Sequence, residues 1–106
     1  MFAQIALVLL LSGSPQVQYD PQEAMRAEQF NGSVQNTKSC LYDDQKGLLY
    51  RGFRDRKYIV STAAWECGIA LKQFMMRDMG RPEKEVDAFI KVLAEEQLNF
   101  VLAEGH

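Results

Sequence analysis

Histidine is almost absent from this chain, where it appears once in 106 residues, as His106. Nothing at such a position fixes its tautomer or place, so a histidine-based catalytic triad is not expected. Metal chemistry is equally short of ligands. One histidine and two cysteines do not make a tetrahedral zinc set, and the adjacent Asp43 and Asp44, in a turn-like DDQKG, lack the spacing of a calcium loop. Gly47 and Gly52 stand at the separation of a phosphate loop, but Phe53 and Arg54 occupy the places of its lysine and its serine or threonine. No cofactor and no metal are implied, and no catalytic residue stands out.

An excess of positive charge is also missing. The formal net charge is -2 and the pI is near 5.3, so the molecule as a whole does not attract nucleic acid or an acidic membrane surface. Nor is there a long apolar run. Phe2 to Leu11 is broken only by Gln4, yet ten residues of helix span only ~15 Å, about half of a ~30 Å hydrocarbon layer. Residues 1–14 read as the apolar part of a signal peptide, and residues 15–106 as one domain. No Lys or Arg precedes the run, and Pro15 disfavours cleavage directly after Ser14; cleavage after Gly13, or a true start upstream, would reconcile these with a leader. No cysteine follows it to carry a lipid. The alternative is a buried N-terminal element of a cytoplasmic domain.

About ninety residues bury little more than ~60% of their unfolded surface, so a further constraint helps. Cys40 and Cys67 are the only cysteines. In an oxidising compartment such a widely spaced pair is expected to form a structural bridge, since a redox site places its cysteines two residues apart. Closing a loop of this size stabilises by ~3.5 kcal/mol on chain-entropy grounds. The alternative is two free buried thiols.

The fold class expected is all-α, a small helical bundle stapled by one disulfide. Asp20, Pro21 and Glu23 signal a helix start, with Asp20 accepting from the Glu23 amide. That helix is expected to end near Phe30, where Asn31 and Gly32 break it, and the polar run Ser33 to Ser39 reads as a loop or short irregular helix. The clearest signal is a C-terminal antiparallel hairpin of two helices, about 55–79 and 82–103. Gly80 suits a left-handed cap and Pro82 a first helical position, with Glu83 and Glu85 near the positive end of the dipole. On the last helix Val86, Phe89, Ile90, Leu93, Phe100 and Val101 share a core face, while Asp87, Lys91 and Glu95 form a solvated ladder. On the preceding helix Val60, Ala64, Cys67, Leu71 and Phe74 make an inward stripe. Glu66, beside Cys67, falls on a polar side with Thr62 and Gln73 and is expected at the surface.

Two features of this region bear on binding. Tyr58, Trp65, Ile69 and Met76 form a second apolar stripe roughly opposite the first. It is covered either by helix one and the Leu41 to Phe53 segment, or by a partner, for which Trp, Tyr and Met are suited. The segment YRGFRDRKY, Tyr50 to Tyr58, holds Arg51, Arg54, Arg56 and Lys57 against one acid. Basic groups between rings suit single strands of nucleic acid. They also suit pairing with the last helix, whose stretch from Glu83 to Glu104 has six acids against two bases, or an anionic protein surface.

In size and pattern the chain resembles the small disulfide-stapled helical proteins of bacterial envelopes that inhibit, chaperone or anchor others, a resemblance that supplies no site residues. The function expected is that of a non-enzymatic exported protein, periplasmic or secreted, which binds another protein through Tyr58, Trp65, Ile69 and Met76 or through Arg51, Arg54, Arg56 and Lys57. The alternative is a structural subunit of a membrane-associated assembly that keeps its apolar N-terminus. Membrane contact is expected only in that case, and no nucleic acid is expected as partner.

Overall fold

The computed structural model describes residues 20–105. The apolar segment 1–14, with its expected cleavage point, and His106 lie outside the described residues. Among the described residues every regular element is a helix, and the fold is the expected all-α bundle.

Helix α1, Pro21–Tyr50, is continuous over 30 residues. It starts at Asp20, whose carboxylate accepts from the Gln22 amide at 3.0 Å, one residue earlier than expected. It does not stop at Phe30. The residues expected as a loop, Ser33 to Ser39, are helical, and so are Asp43 and Asp44, which are not in a turn. The physical reason is a stripe at three- and four-residue steps, Phe30, Val34, Thr37, Leu41, Gln45 and Leu48, buried or half-buried along its length. Asn31, Gly32, Gln35, Asn36 and Ser39 lie on the exposed back. The Thr37 hydroxyl donates to the Ser33 carbonyl at 2.8 Å, and Phe30 stacks with Phe74 and Phe89 at ring separations of 6.4 and 6.1 Å. An interior glycine costs about 1 kcal/mol relative to alanine, and tertiary packing of this stripe outweighs it.

The end of α1 is set by Gly52, at φ 102°. The Phe53 amide donates to the Leu48 carbonyl and the Gly52 amide to that of Leu49, at 3.1 and 3.0 Å, so the last carbonyls are satisfied within the turn. After that turn Asp55 caps α2, Arg56–Cys67, by accepting from the Lys57 amide at 3.2 Å. The helix expected over 55–79 is interrupted: α2 ends at Cys67, α3 is the short piece Ile69–Gln73, and Phe74–Asp78 forms a π-helical turn. A π turn takes one more residue per hydrogen-bonded ring, and here it brings Met75 into the core while Phe74 stays half-buried against Phe30.

Gly80, with φ 66°, turns the chain, and Pro82, extended at ψ 144°, stands just before α4, Glu83–Ala103, rather than inside it. The run α2–α3 and helix α4 are antiparallel. Arg56 reaches Asn99 Oδ1 at one end (2.8 Å), and Lys72 reaches Asp87 at the other (2.9 Å). The buried face of α4 follows Val86, Ile90, Ala94, Leu98 and Val101, with Leu93 beside it. Phe100, expected in the core, is 59% exposed. Seven residues fall about 20° short of two full helical turns, so Phe100 drifts off the stripe that Leu98 and Val101 continue.

Cys40 and Cys67 are bonded, with Cα atoms 5.7 Å apart, tying the middle of α1 to the end of α2. Immediately beyond, Gly68 is buried where α2 meets α4. A Cβ there would stand 2.5 Å from the Ala64 carbonyl oxygen and 2.9 Å from Ile90 Cγ2. Gly68→Ala is therefore expected to lower stability by about 1–3 kcal/mol through overpacking. Gly47→Ala, inside α1 with open space around the new methyl, is expected to raise it by about 0.5–1 kcal/mol. Urea unfolding midpoints of the two oxidised variants check this, and equal shifts in one direction would contradict it.

Candidate functional site

The α2–α3 rod is clamped to α1 by the disulfide on one side and packs on α4 at Gly68 on another, which leaves a further face unpacked among the described residues. On that face Trp65 is 74% exposed, Ile69 53%, Tyr58 46% and Met76 38%. Among the described residues neither α1 nor the segment from Leu41 to Phe53 covers Trp65, Ile69 and Met76. Trp65, Ile69 and Met76 line an open groove of about 1390 Å³ between the α2–α3 rod and α4, floored by Val60, Ala64 and Ile90. Tyr58 does not join them. It stacks on Phe53 at 5.1 Å, and that contact turns it away from the groove.

The basic residues divide in the same way. Arg56 and Lys57 line the groove, whereas Arg51 and Arg54 do not. Arg51 lies over the Phe53 ring at 5.4 Å. Arg54 donates to the Leu49 and Phe53 carbonyls at 2.7 and 2.8 Å, closing the end of α1. The four do not pair with the acids of α4 among the described residues, since the contact made is Arg56 to the neutral Asn99 amide. The eight candidate residues thus form two groups, one in the groove and one around the α1–α2 turn.

Several groove residues escape a reading of the sequence. Gly68 carries no side-chain signal, and Ala64, expected on the inward stripe, is half-buried; the small size of both opens the floor. Lys72 is held between Glu83 at 2.8 Å and Asp87 at 2.9 Å, and the hydrogen bonds it donates, first to Glu83 and then to Asp87, raise its pKa, so it stays charged. Asp87, Lys91 and Glu95, read as a solvated ladder, form the far wall. Their spacing shows a shared helical face, but only the position of Ile90 beside them shows that this face borders a groove.

A second cluster lies beside the staple. Asp44 is one turn beyond Cys40, Glu66 immediately precedes Cys67, and the bridge brings the two carboxyls together. Asp44 Oδ2 is buried with no donor among the described residues. Burial first, and then hydrogen bonding and repulsion from Glu66, push the Asp44 carboxyl up to about 6, with Arg51 acting weakly in the opposite direction. Two facing carboxylates need a proton to form that hydrogen bond. Among the described residues no group of three or more histidine, cysteine or acidic side chains is placed to hold a metal ion, and no helix is long and apolar enough to cross a membrane.

No family model, no curated protein and no solved structure matches this chain.

A carboxyl whose folded pKa lies above its unfolded value stabilises the fold fully below the unfolded value, and that contribution disappears as the pH rises through the folded one. Asp44 places this window between about 4 and 6. Because the group is only partly shielded from solvent, the loss expected from pH 4 to pH 7 is on the order of 1 kcal/mol. Glu66→Gln, whose amide donates to Asp44 without a shared proton, should flatten that slope. Urea titrations at stepped pH test it, and a slope unchanged by Glu66→Gln would contradict the pairing.

Proposed function

We propose that this is a small exported helical protein, non-enzymatic, that acts by binding another protein in the groove between the α2–α3 rod and α4. The observation that carries the reading is the sharing of this one groove by Trp65, Ile69 and Met76, exposed and flanked by lysine and arginine. Large side chains of this kind dominate the centres of protein interfaces, because they bury much area per residue and, in methionine, adapt their shape to the partner. A contiguous apolar patch is costly on a protein with no partner.

Export is part of the same reading. The disulfide fits an oxidising compartment, and the apolar run at residues 1–14 fits a cleaved leader. In such a compartment the staple fixes one groove wall, the α2–α3 rod, to α1 before a partner arrives, which lowers the ordering cost of association.

The test is site-specific photo-crosslinking in the native host. A photoreactive residue at position 65 or 69 is expected to capture the same protein, while one at Val92, exposed on α4 outside the groove, captures none. Trp65→Ala is expected to weaken that complex at least tenfold, or about 1.4 kcal/mol. The intact mass of the captured chain reads whether the first thirteen or fourteen residues have gone. Absence of adducts at 65 and 69, or equal yields at 92, would overturn the binding site; a full-length mass would overturn export.

A further inference from the structure

Resting on the reading of the groove as a protein-binding site, we infer that its occupant is an amphipathic α-helix of the partner, apolar on one face and acidic along both flanks. Three observations lead there: size, backbone chemistry and charge.

Pockets for small molecules measure about 300–1,000 Å³ and enclose most of their ligand. This groove measures about 1390 Å³ and is open to solvent. Its wall runs from Lys57 to Arg77, about 30 Å of helix at 1.5 Å per residue. An elongated occupant about 10 Å across fills such a trough, and a helix of about 18–20 residues has that length and width.

An extended peptide is disfavoured by the backbone. Strand addition needs an open sheet edge to hydrogen-bond with, and the walls here are helices, whose interior backbone groups are already paired with one another. A strand laid in the groove would bury amide and carbonyl groups without partners. A helix satisfies its own backbone and presents only side chains, which is what Trp65, Ile69 and Met76 are placed to meet.

Charge selects the flanks. The groove is lined by five basic and three acidic residues, a local excess opposite in sign to the net charge of -2 of the whole chain. Of the acids, Asp55 already caps α2 through the Lys57 amide, and Asp87 is held by Lys72. Arg77 and Lys91 stand with Lys57 in no ion pair among the described residues, against Glu95. Acidic residues beside the apolar face of an incoming helix meet these cations on both walls, Lys57 and Arg77 on one and Lys91 on the other. A basic helix would meet repulsion at the same places.

The experiment uses the full oxidised chain and three synthetic 18-residue peptides. One places Leu at i, i+3, i+4 and i+7 with Glu elsewhere, the second replaces each Glu by Lys, and the third is a scrambled isomer of the first whose leucines share no face. Trp65, the only tryptophan, reports binding by a shift of its emission to shorter wavelength. The Glu peptide is expected to bind saturably, more weakly as salt rises, and the Lys and scrambled peptides at least tenfold more weakly. The double variant Lys57→Glu/Lys91→Glu is expected to reverse the preference between the Glu and Lys peptides with its thermal unfolding intact. Equal binding of the Glu and Lys peptides, or no response of Trp65 to any of the three, would overturn the inference. So would a Trp65 shift with phosphatidylglycerol vesicles that the Glu peptide does not produce, which would assign the face to a lipid surface. If the peptides fail while the crosslinks at positions 65 and 69 persist, the acidic helix is wrong and the protein-binding reading stands. If both fail, the groove is not a protein site.

Discussion

The bond between Cys40 and Cys67 joins α1 and α2 beside a close approach of the chain to α4. Immediately after it, Gly68 admits Ile90 at a distance no side chain would allow. Around this junction sit Leu41, Ile59, Ala63, Leu71, Ile90 and Ala94, all buried. A chain of this size has a small core and a net stability of only several kcal/mol. A cross-link worth about 3.5 kcal/mol on chain-entropy grounds is therefore a large share of what keeps the helices together. It also confines two carboxyls, Asp44 and Glu66, to one another's neighbourhood, where burial and Glu66 raise the Asp44 pKa.

The same junction accounts for the groove. A rod packed against α1 on one side and α4 on another has a third face, and among the described residues no helix lies over it. The helix is interrupted at Gly68 and again at the π turn, and along it Lys72 meets Glu83 and Asp87 while Trp65, Ile69 and Met76 stay outside. On this account the apolar face follows from how the core is built, and the basic rim from the residues left around it.

Much of this was legible from residue types and spacing. The hairpin and its reversal at Gly80 follow from helical periodicity and cap chemistry, and the inward direction of Cys67 follows from its place on the stripe with Val60 and Leu71. The continuity of α1 was not legible, because Asn31, Gly32 and the polar residues after them prefer loops locally. What holds them helical is the contact of Phe30 with Phe74 and Phe89, residues far off in sequence. The break at Gly68 depends likewise on the approach of Ile90, and the loss of Phe100 from the core on a slow drift of the helical face. For the site, the stripe of Trp65, Ile69 and Met76 was visible as a pattern, and whether α1 covered it was not. The division of the basic segment between the groove and the α1–α2 turn needed the geometry of Gly52 and Arg54.

The claim on which the account rests is that the face carrying Trp65 is open in the folded, oxidised monomer. Steady-state emission of Trp65, with acrylamide and iodide quenching at concentrations where sedimentation shows a monomer, tests it directly. Emission close to that of tryptophan in water and efficient quenching by both agents are expected. Blue-shifted emission that iodide does not reach would place Trp65 under cover and contradict it.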